Sequence, residues 1–237
     1  MKEGVGRALR RAIGRDDVLS RIKPRKGGVS VLMNEKRRLI FQHLMERPLT
    51  HLRELSRETG IPVGTADWHL KALMEANVVS VYQGRRRSHF YPSGWIDDSD
   101  LPCLSLLQGQ TPKALYKLVQ KNPGLSQTEI ADKMKKYQQF VQPHIIGLER
   151  CGLLRSERKG RKKVHLVTEK LAELEQKYET RSPDYMENAL EMLEKDGLNP
   201  KIRGRSKDAV RVRIDDGRNT FPIRIGANPI SAIMKQR

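Results

Sequence analysis

Cysteine is nearly absent. Cys103 and Cys151 are the two in 237 residues, and neither has a close-spaced partner along the chain. That excludes a disulfide framework and a zinc knuckle, and it fits a reducing compartment. Long apolar runs are missing as well. No stretch approaches the ~20 residues a membrane-spanning helix needs, and Met1-Lys2-Glu3 leads into no secretory signal. A cytoplasmic, nucleoid-associated chain is the expectation. Catalytic signatures are lacking too: there is no phosphate-binding glycine loop, no HExxH and no G-x-S-x-G. The acidic pairs Asp97-Asp98 and Asp215-Asp216 fall in a linker and a turn, where carboxylates are ordinarily solvated. The six His form no close-spaced pair. Neither a metal, a cofactor nor an enzymatic activity is therefore expected.

Negative charge is the other shortage. Lys+Arg number 46 against 28 Asp+Glu, a formal charge of +18. A surplus of that size favours a polyanionic partner, and nucleic acid is the commonest one. A generally solvated, charge-rich surface is the plain alternative, but the cations are unevenly spread. Residues 1–30 hold nine Lys/Arg against three Asp/Glu, and residues 201–237 hold ten against three. Residues 168–196 reverse the balance, with four against nine.

What is present is a repeat. Leu49-Thr50, His69-Leu70-Lys71-Ala72-Leu73, Val78-Val79 and Gly84-Arg85-Arg86-Arg87 recur as Leu125-Ser126, His144-Ile145-Ile146-Gly147-Leu148, Leu153-Leu154 and Gly160-Arg161-Lys162-Lys163. The paired His stand 75 positions apart and the paired Gly 76. Apolar positions stay apolar and basic ones basic, so one small module is used twice. Each copy reads as helices, an apolar strand and a hairpin with a basic tip. That is the layout of a winged helix, and the fold class is mainly α with small β-hairpins.

The organisation follows. Residues 1–30 form a basic arm. Residues 31–95 are the first winged helix: Asn34 caps a helix to about Arg47, Thr50 caps the next, and Gly60 stops it. Ile61-Pro62 opens a third helix to about Ala76, with Ala66, Leu70, Leu73 and Met74 inward. Residues 96–111 read as a polar linker. Residues 112–180 are the second winged helix, in which Ser126-Gln127-Thr128-Glu129 is a capping box. Its third helix turns Val141, Ile145 and Leu148 inward. Pro143 belongs in a first turn, so this helix is expected to start no earlier than about Phe140. Thr168 caps an added acidic helix.

Residues 181–237 form a small α+β unit, with a separate helix over 183–194. Residues 210–214 and 221–225 alternate strictly around Asp215-Asp216-Gly217, a β-hairpin pattern. Val210, Val212 and Ile214 share one face, and Arg211 and Arg213 the other. Asn228-Pro229 starts a terminal helix. So few residues cannot bury that apolar face alone. The second winged helix, a second copy of the chain or another protein must cover it, and a homodimer or a protein partner is favoured.

A helix-turn-helix reads bases with exposed side chains near the start of its second helix. In the first copy those are Gly64, Thr65, Trp68, His69 and Lys71. Trp68 either meets nucleic acid or packs on the wing or a neighbouring subunit, and Asp67 is expected to pair with an Arg of its own module. The wing tip Arg85, Arg86 and Arg87 suits phosphates or the minor groove. In the second copy Gln138, Gln139, Phe140 and His144 face outward. Its wing carries Arg155, Arg158, Lys159, Arg161, Lys162 and Lys163 against Glu157 alone, so backbone anchoring is its expected task.

The run from Trp68 through Val79, with Gly84-Arg85 and Phe90-Tyr91, resembles the third helix and wing of ArsR/MarR-type winged-helix regulators. The second copy, from His144 through Leu154 to Gly160-Arg161 and Thr168-Glu169, resembles them more loosely. Two such modules in one basic chain are similar to tandem winged-helix transcription regulators of archaea, a group that includes an activator of archaellum genes. The resemblance implies double-stranded DNA as partner. It does not extend to the paired Cys or Cys/His ligands of the metal-sensing members. Two other readings stand beside it: a non-catalytic chromosome-organising or RNA-binding protein, and a scaffold whose winged helices bind proteins. Basic tips on both wings argue against the scaffold.

Overall fold

The computed structural model describes residues 31–84, 87–195, 197–206, 209–215 and 220–235. The basic arm at 1–30, Arg85, Arg86 and the turn residues Asp216 and Gly217 lie outside the described residues.

The first module is built on α1, Glu35–Glu46, which buries Ile40, Phe41, Leu44 and Met45. The Asn34 side chain caps it, accepting the Arg37 N–H at 3.2 Å. β1 (Thr50–His51) leads into α2, Leu52–Thr59, which Gly60 ends in the left-handed conformation at φ 71°. The cap of α2 is His51 rather than Thr50: its Nδ1 accepts the Glu54 N–H at 3.1 Å. Thr50 is instead a buried strand residue whose hydroxyl donates to the Arg47 carbonyl at 2.6 Å. α3 spans Val63–Glu75. β2 (Val79–Gln83) and β3 (Ser88–Pro92) complete a three-stranded sheet ordered β1-β3-β2.

The stretch read as a polar linker contains a packed helix, α4, Leu101–Gln108. Its Leu101, Cys103, Leu104 and Leu107 are buried. The apolar spacing of three is a helical signal, masked in the sequence by the polar run Asp97 to Asp100 before it. α5 (Gln110–Lys121), β4 (Leu125–Ser126), α6 (Gln127–Lys133) and α7 (Gln138–Arg150) follow, then β5 (Leu154–Lys159) and β6 (Lys162–Val167). The sheet order β4-β6-β5 repeats that of the first module. The Ser126–Glu129 capping box forms as read, with both reciprocal bonds made.

α8 runs unbroken over Lys170–Lys195, where the sequence suggests two helices. Pro183 sits inside it. Pro183 has no N–H to offer the Glu179 carbonyl, and both residues lie on the exposed face of the helix. The buried stripe Leu171, Leu174, Tyr178, Ser182, Ala189 and Leu193 crosses the proline position without interruption.

Three strands, not two, form the last sheet. β7 (Lys201–Ser206), β8 (Ala209–Asp215) and β9 (Thr220–Gly226) pair antiparallel in that order. β7 escapes a reading by alternation because it is a largely exposed edge strand with a register shift between Ile202 and Gly204. Val210, Val212 and Ile214 are buried and Arg211 and Arg213 exposed, as the alternation requires. α9, Pro229–Lys235, closes the chain.

The apolar face of this sheet is covered from within the chain, chiefly by the first module. β9 packs on α1, and α9 packs on α1, α4 and α8. Gly226 donates its N–H to Met45 Sδ at 3.4 Å, and a Cβ there would stand 2.7 Å from the Trp95 ring. The Arg38 guanidinium lies 3.7 Å from the Phe221 ring centroid. The second module contributes Lys113 and Lys117, whose ammonium groups donate to the Ile233 and Met234 carbonyls at 2.8 and 3.0 Å. These cations sit where the α9 dipole is negative. The uncovered face that pointed to a second copy is thus already occupied, so that argument for a homodimer loses its premise.

A polar joint ties α8 to the segment before α4. Lys177 Nζ lies 2.7 Å from both Asp97 and Asp100. The Tyr178 hydroxyl donates to Asp100 at 2.7 Å and accepts the Asp97 N–H at 3.0 Å, and Arg181 pairs with Asp97. Lys177 and Arg181, as partners, hold the Asp97 carboxyl below its ordinary range.

Candidate nucleic-acid interface

α3 presents its outward face much as the stripe of Ala66, Leu70 and Leu73 requires, with one exception. Val63, Gly64, Trp68 and Lys71 are exposed and Thr65 is half-buried. His69 is not outward: it is 4 % exposed, and its Nδ1 has no hydrogen-bond partner. Positions 66, 69, 70 and 73 form the i, i+3, i+4, i+7 stripe of a buried face, and His69 completes it. Burial first, then the nearby Arg37 and Lys36, lowers its pKa and keeps the ring neutral. His69 therefore supports the fold rather than a ligand.

Trp68 stays 59 % exposed, with the Arg37 guanidinium of α1 at 5.2 Å from its ring centroid and the His69 edge at 4.9 Å. Arg37 is a neighbour that the repeat gave no reason to single out. Lys71 is exposed but committed: its ammonium lies 2.7 Å from Asp67 one turn earlier. Asp67 thus pairs with Lys71, not with an Arg of its module. On the first wing, Arg87 is exposed, its guanidinium 2.8 Å from His51 Nε2 at the start of α2.

In the second module α7 starts at Gln138 and has 13 residues, the same length as α3. The expectation of a later start and a shorter helix is corrected. Pro143 stands in the second turn and has no N–H to offer the Gln139 carbonyl, and both residues lie on the exposed side. Val141, Ile145 and Leu148 are buried as read, Gln138 and Gln139 are exposed, and His144 is half-buried. Burial lowers the His144 pKa, so its ring is held neutral. Two further residues stand here without a signal in the repeat: Tyr137, which is 84 % exposed at the N-cap of α7, and Lys136, whose ammonium lies 5.6 Å from the Phe140 ring centroid. Tyr137 escaped because the equivalent position in the first copy is Pro62, so the repeat carries no aromatic signal there.

The second wing is a cationic hairpin. Arg155, Arg158, Lys159, Arg161, Lys162 and Lys163 are all exposed. Arg155 pairs with Glu157, Lys162 lies 3.8 Å from Glu129 and Lys163 3.7 Å from Glu149. Arg158, Lys159 and Arg161 have no carboxylate partner among the described residues. The strand register sets Arg158 opposite Lys163 and Lys159 opposite Lys162. Like charges directly opposite one another destabilise a strand pair, and Glu129 and Glu149 reach only the Lys162 and Lys163 side of these pairs. Behind it His165, 2 % exposed, lies 3.2 Å from Glu149 and anchors the wing base.

Among the described residues no cluster of three or more His, Cys, Asp or Glu is placed to hold a metal, and no helix is long and apolar enough to cross a membrane. Cys103 on α4 and Cys151 at the end of α7, isolated in sequence, are neighbours in the fold: each thiol perturbs the other, raising Cys103, which burial raises further, and lowering Cys151.

An uncharacterized HTH-type transcriptional regulator of Methanocaldococcus jannaschii is 32 % identical over 141 residues, which cover 60 % of this chain. The chain spans about a third of that relative, 35 % of its length. Among solved structures, ScpB from Mycobacterium tuberculosis aligns over 59 % of this chain and 93 % of its own at 14 % identity, with a TM-score of 0.25. The mRNA-binding domain of elongation factor SelB from E. coli, solved with SECIS RNA, aligns over 56 % and 98 % at 16 % identity, with a TM-score of 0.24. Neither score bears on function. Residues 34–100, the segment running from the Asn34 cap through the first wing to Asp100, match the model of a family described as an N-terminal HTH domain.

Proposed function

We propose that this protein is a DNA-binding transcription regulator. α3 enters the major groove and both wings hold the phosphate backbone. The observation that carries the reading is the second wing. Two pairs of like-charged side chains are set opposite each other, and Arg158, Lys159 and Arg161 lack any carboxylate partner among the described residues. A polyanion with closely spaced charges is the ligand such a tip fits. The helix-turn-helix family match and the likeness to an archaeal HTH-type regulator support DNA as that polyanion.

Base readout falls to Thr65 and Trp68 on α3, with Lys71 joining once phosphate or base competes for it against Asp67. In the second module Gln138, Gln139 and His144 lie at the corresponding helix start. Wing contacts come from Arg85, Arg86 and Arg87 on one side and from Arg158, Lys159, Arg161, Lys162 and Lys163 on the other. A homodimer or a protein partner through residues 181–237 would have to use the polar outer faces of the tail, where Arg211 and Arg213 stand. A genome-wide map of bound DNA tests the reading. A narrow motif at promoters is expected, whereas uniform coverage would make the chain an organiser of chromosomes and overturn it.

A further inference from the structure

The second module exposes two large aromatic side chains at the start of α7. Tyr137 is 84 % exposed and Phe140 44 %. They stand at the cap and in the first turn of α7, and the His144 ring meets Phe140 edge-on one turn later, its centroid at 5.5 Å. Positions 137, 140 and 144 are spaced three and four, so the three rings follow one line along the helix. Lys133, Lys135 and Lys136 flank the line, all exposed and none paired to a carboxylate among the described residues. Asp132 is the one acid between positions 130 and 148. The first module has no such line: Pro62 and Thr65 occupy the places equivalent to Tyr137 and Phe140. Packing beneath holds the helix in place, since Gly147 has no side chain and Leu106 of α4 closes to where a Cβ would lie 3.1 Å away.

We propose that the start of α7 is a stacking platform for unpaired DNA bases, with Tyr137 and Phe140 as the rings that receive them and Lys133, Lys135 and Lys136 as the groups that hold the adjoining phosphates. A ring offers a π-face to any base, but that face is reachable only where the base has left the helix stack. Cations beside exposed rings are the combination that binds a single strand, with the charges following the backbone and the rings the bases. The second wing lies in the same module and supplies further cations for the flanking duplex. The first module then reads paired DNA while the second holds a strand that is open. This rests on the reading of the protein as a DNA binder and adds to it the state of the DNA.

The test uses the full chain and three fluorescent probes of one sequence: a paired duplex, the same duplex with a central run of mismatched thymines, and the single strand. Wild-type protein is expected to favour the mismatched over the paired duplex by about tenfold or more, the size of one base–ring stack. Tyr137→Ala and Phe140→Ala should each lower that ratio by about tenfold. Phe140→Tyr should keep it and Phe140→Leu should not, because leucine is apolar without a π-face. A 2-aminopurine in the mismatched run should lose fluorescence on binding wild type and not on binding the double variant. Equal affinity for paired and mismatched duplex in the wild type overturns the platform and leaves the duplex reading intact. An unchanged ratio in both alanine variants, or a leucine variant that behaves like wild type, also overturns it. Failure to bind any of the three probes overturns the DNA reading itself.

Discussion

Replacing Arg158, Lys159 and Arg161 together with Gln separates what the second wing costs the fold from what it does for binding. All three side chains are exposed and lack carboxylate partners among the described residues, so no internal ion pair is lost. Two like-charged cross-strand pairs, Arg158 with Lys163 and Lys159 with Lys162, are relieved. Each should return a few tenths of a kcal/mol, since exposure and salt screen the repulsion. The unfolding midpoint should therefore rise slightly. Binding should move the opposite way. Each phosphate contact contributes about 0.9 to the slope of log affinity against log salt, so three lost contacts flatten that slope by about 2.7. Across a fourfold range of salt, wild type should then lose about 40-fold more affinity than the variant. Fluorescence anisotropy on one duplex at several salt concentrations, beside thermal unfolding of both proteins, reads both effects. A variant that binds with the wild-type slope would place this wing off the DNA. A variant that loses stability would show that the cations serve the fold, and the argument from opposed charges would be wrong.

Four further outcomes follow from the same geometry. Asp67→Asn frees Lys71 and removes an acid from the reading face, so duplex affinity should rise severalfold in anisotropy titrations; a fall would mean that Asp67 positions α3 instead. His69→Leu should leave DNA affinity within about twofold and hold or raise stability by up to ~1 kcal/mol, because the buried Nδ1 has no partner to lose. The pH dependence has a definite sign: the fold keeps this ring neutral, the unfolded chain binds more protons below about pH 6.5, and stability falls as pH drops toward the lowered folded pKa. Urea titrations should thus show wild type losing more than His69→Leu between about pH 7 and 5. Tyr178→Phe strands the Asp97 N–H and one bond of Asp100 in the joint, which should cost about 1–3 kcal/mol in urea unfolding. Alkylation followed by mass spectrometry should label half-exposed Cys151 well before buried Cys103, with the reverse order refuting the assigned pKa directions.

Much of the architecture is legible in the sequence because the module is written twice. A capping box, the left-handed Gly60 and a recurring apolar–basic pattern give both winged helices and place α3 and α7 as equivalent helices of the two copies. The misreadings share a physical cause. α4 was hidden because four polar residues precede a helix whose apolar face is satisfied only by long-range packing. Pro183 reads as a helix boundary because proline lacks the N–H of a helical bond, and nothing local tells that the buried stripe continues past it. His69 reads as outward by its polarity and its place near the helix start, although the stripe of Ala66, Leu70 and Leu73 already encloses it. The pairing of Lys71 with Asp67 was readable from the spacing of four alone. Tyr137 was not, since its exposure depends on where the α6–α7 turn sets the N-cap.

The tail changes the meaning of the charge distribution. Nine acids and four cations lie along residues 168–196, and the buried stripe of α8 fixes which side of that helix the rest of the molecule occupies. On the proposed reading, phosphates would be repelled from its outer face and drawn to the wings, so the charge asymmetry would orient the chain on DNA. The joint from Asp97 and Asp100 to Lys177, Tyr178 and Arg181 fastens this acidic element to the segment between the two winged helices. The last sheet lies on α1, while α9 reaches Lys113 and Lys117 of the second. Each module is therefore held to the tail by contacts that the other does not make. Two reading helices attached to one common support can present a duplex and an opened strand in a set relation, which two modules on a flexible linker could not do. On the proposed reading the tail is the frame on which the two faces are spaced.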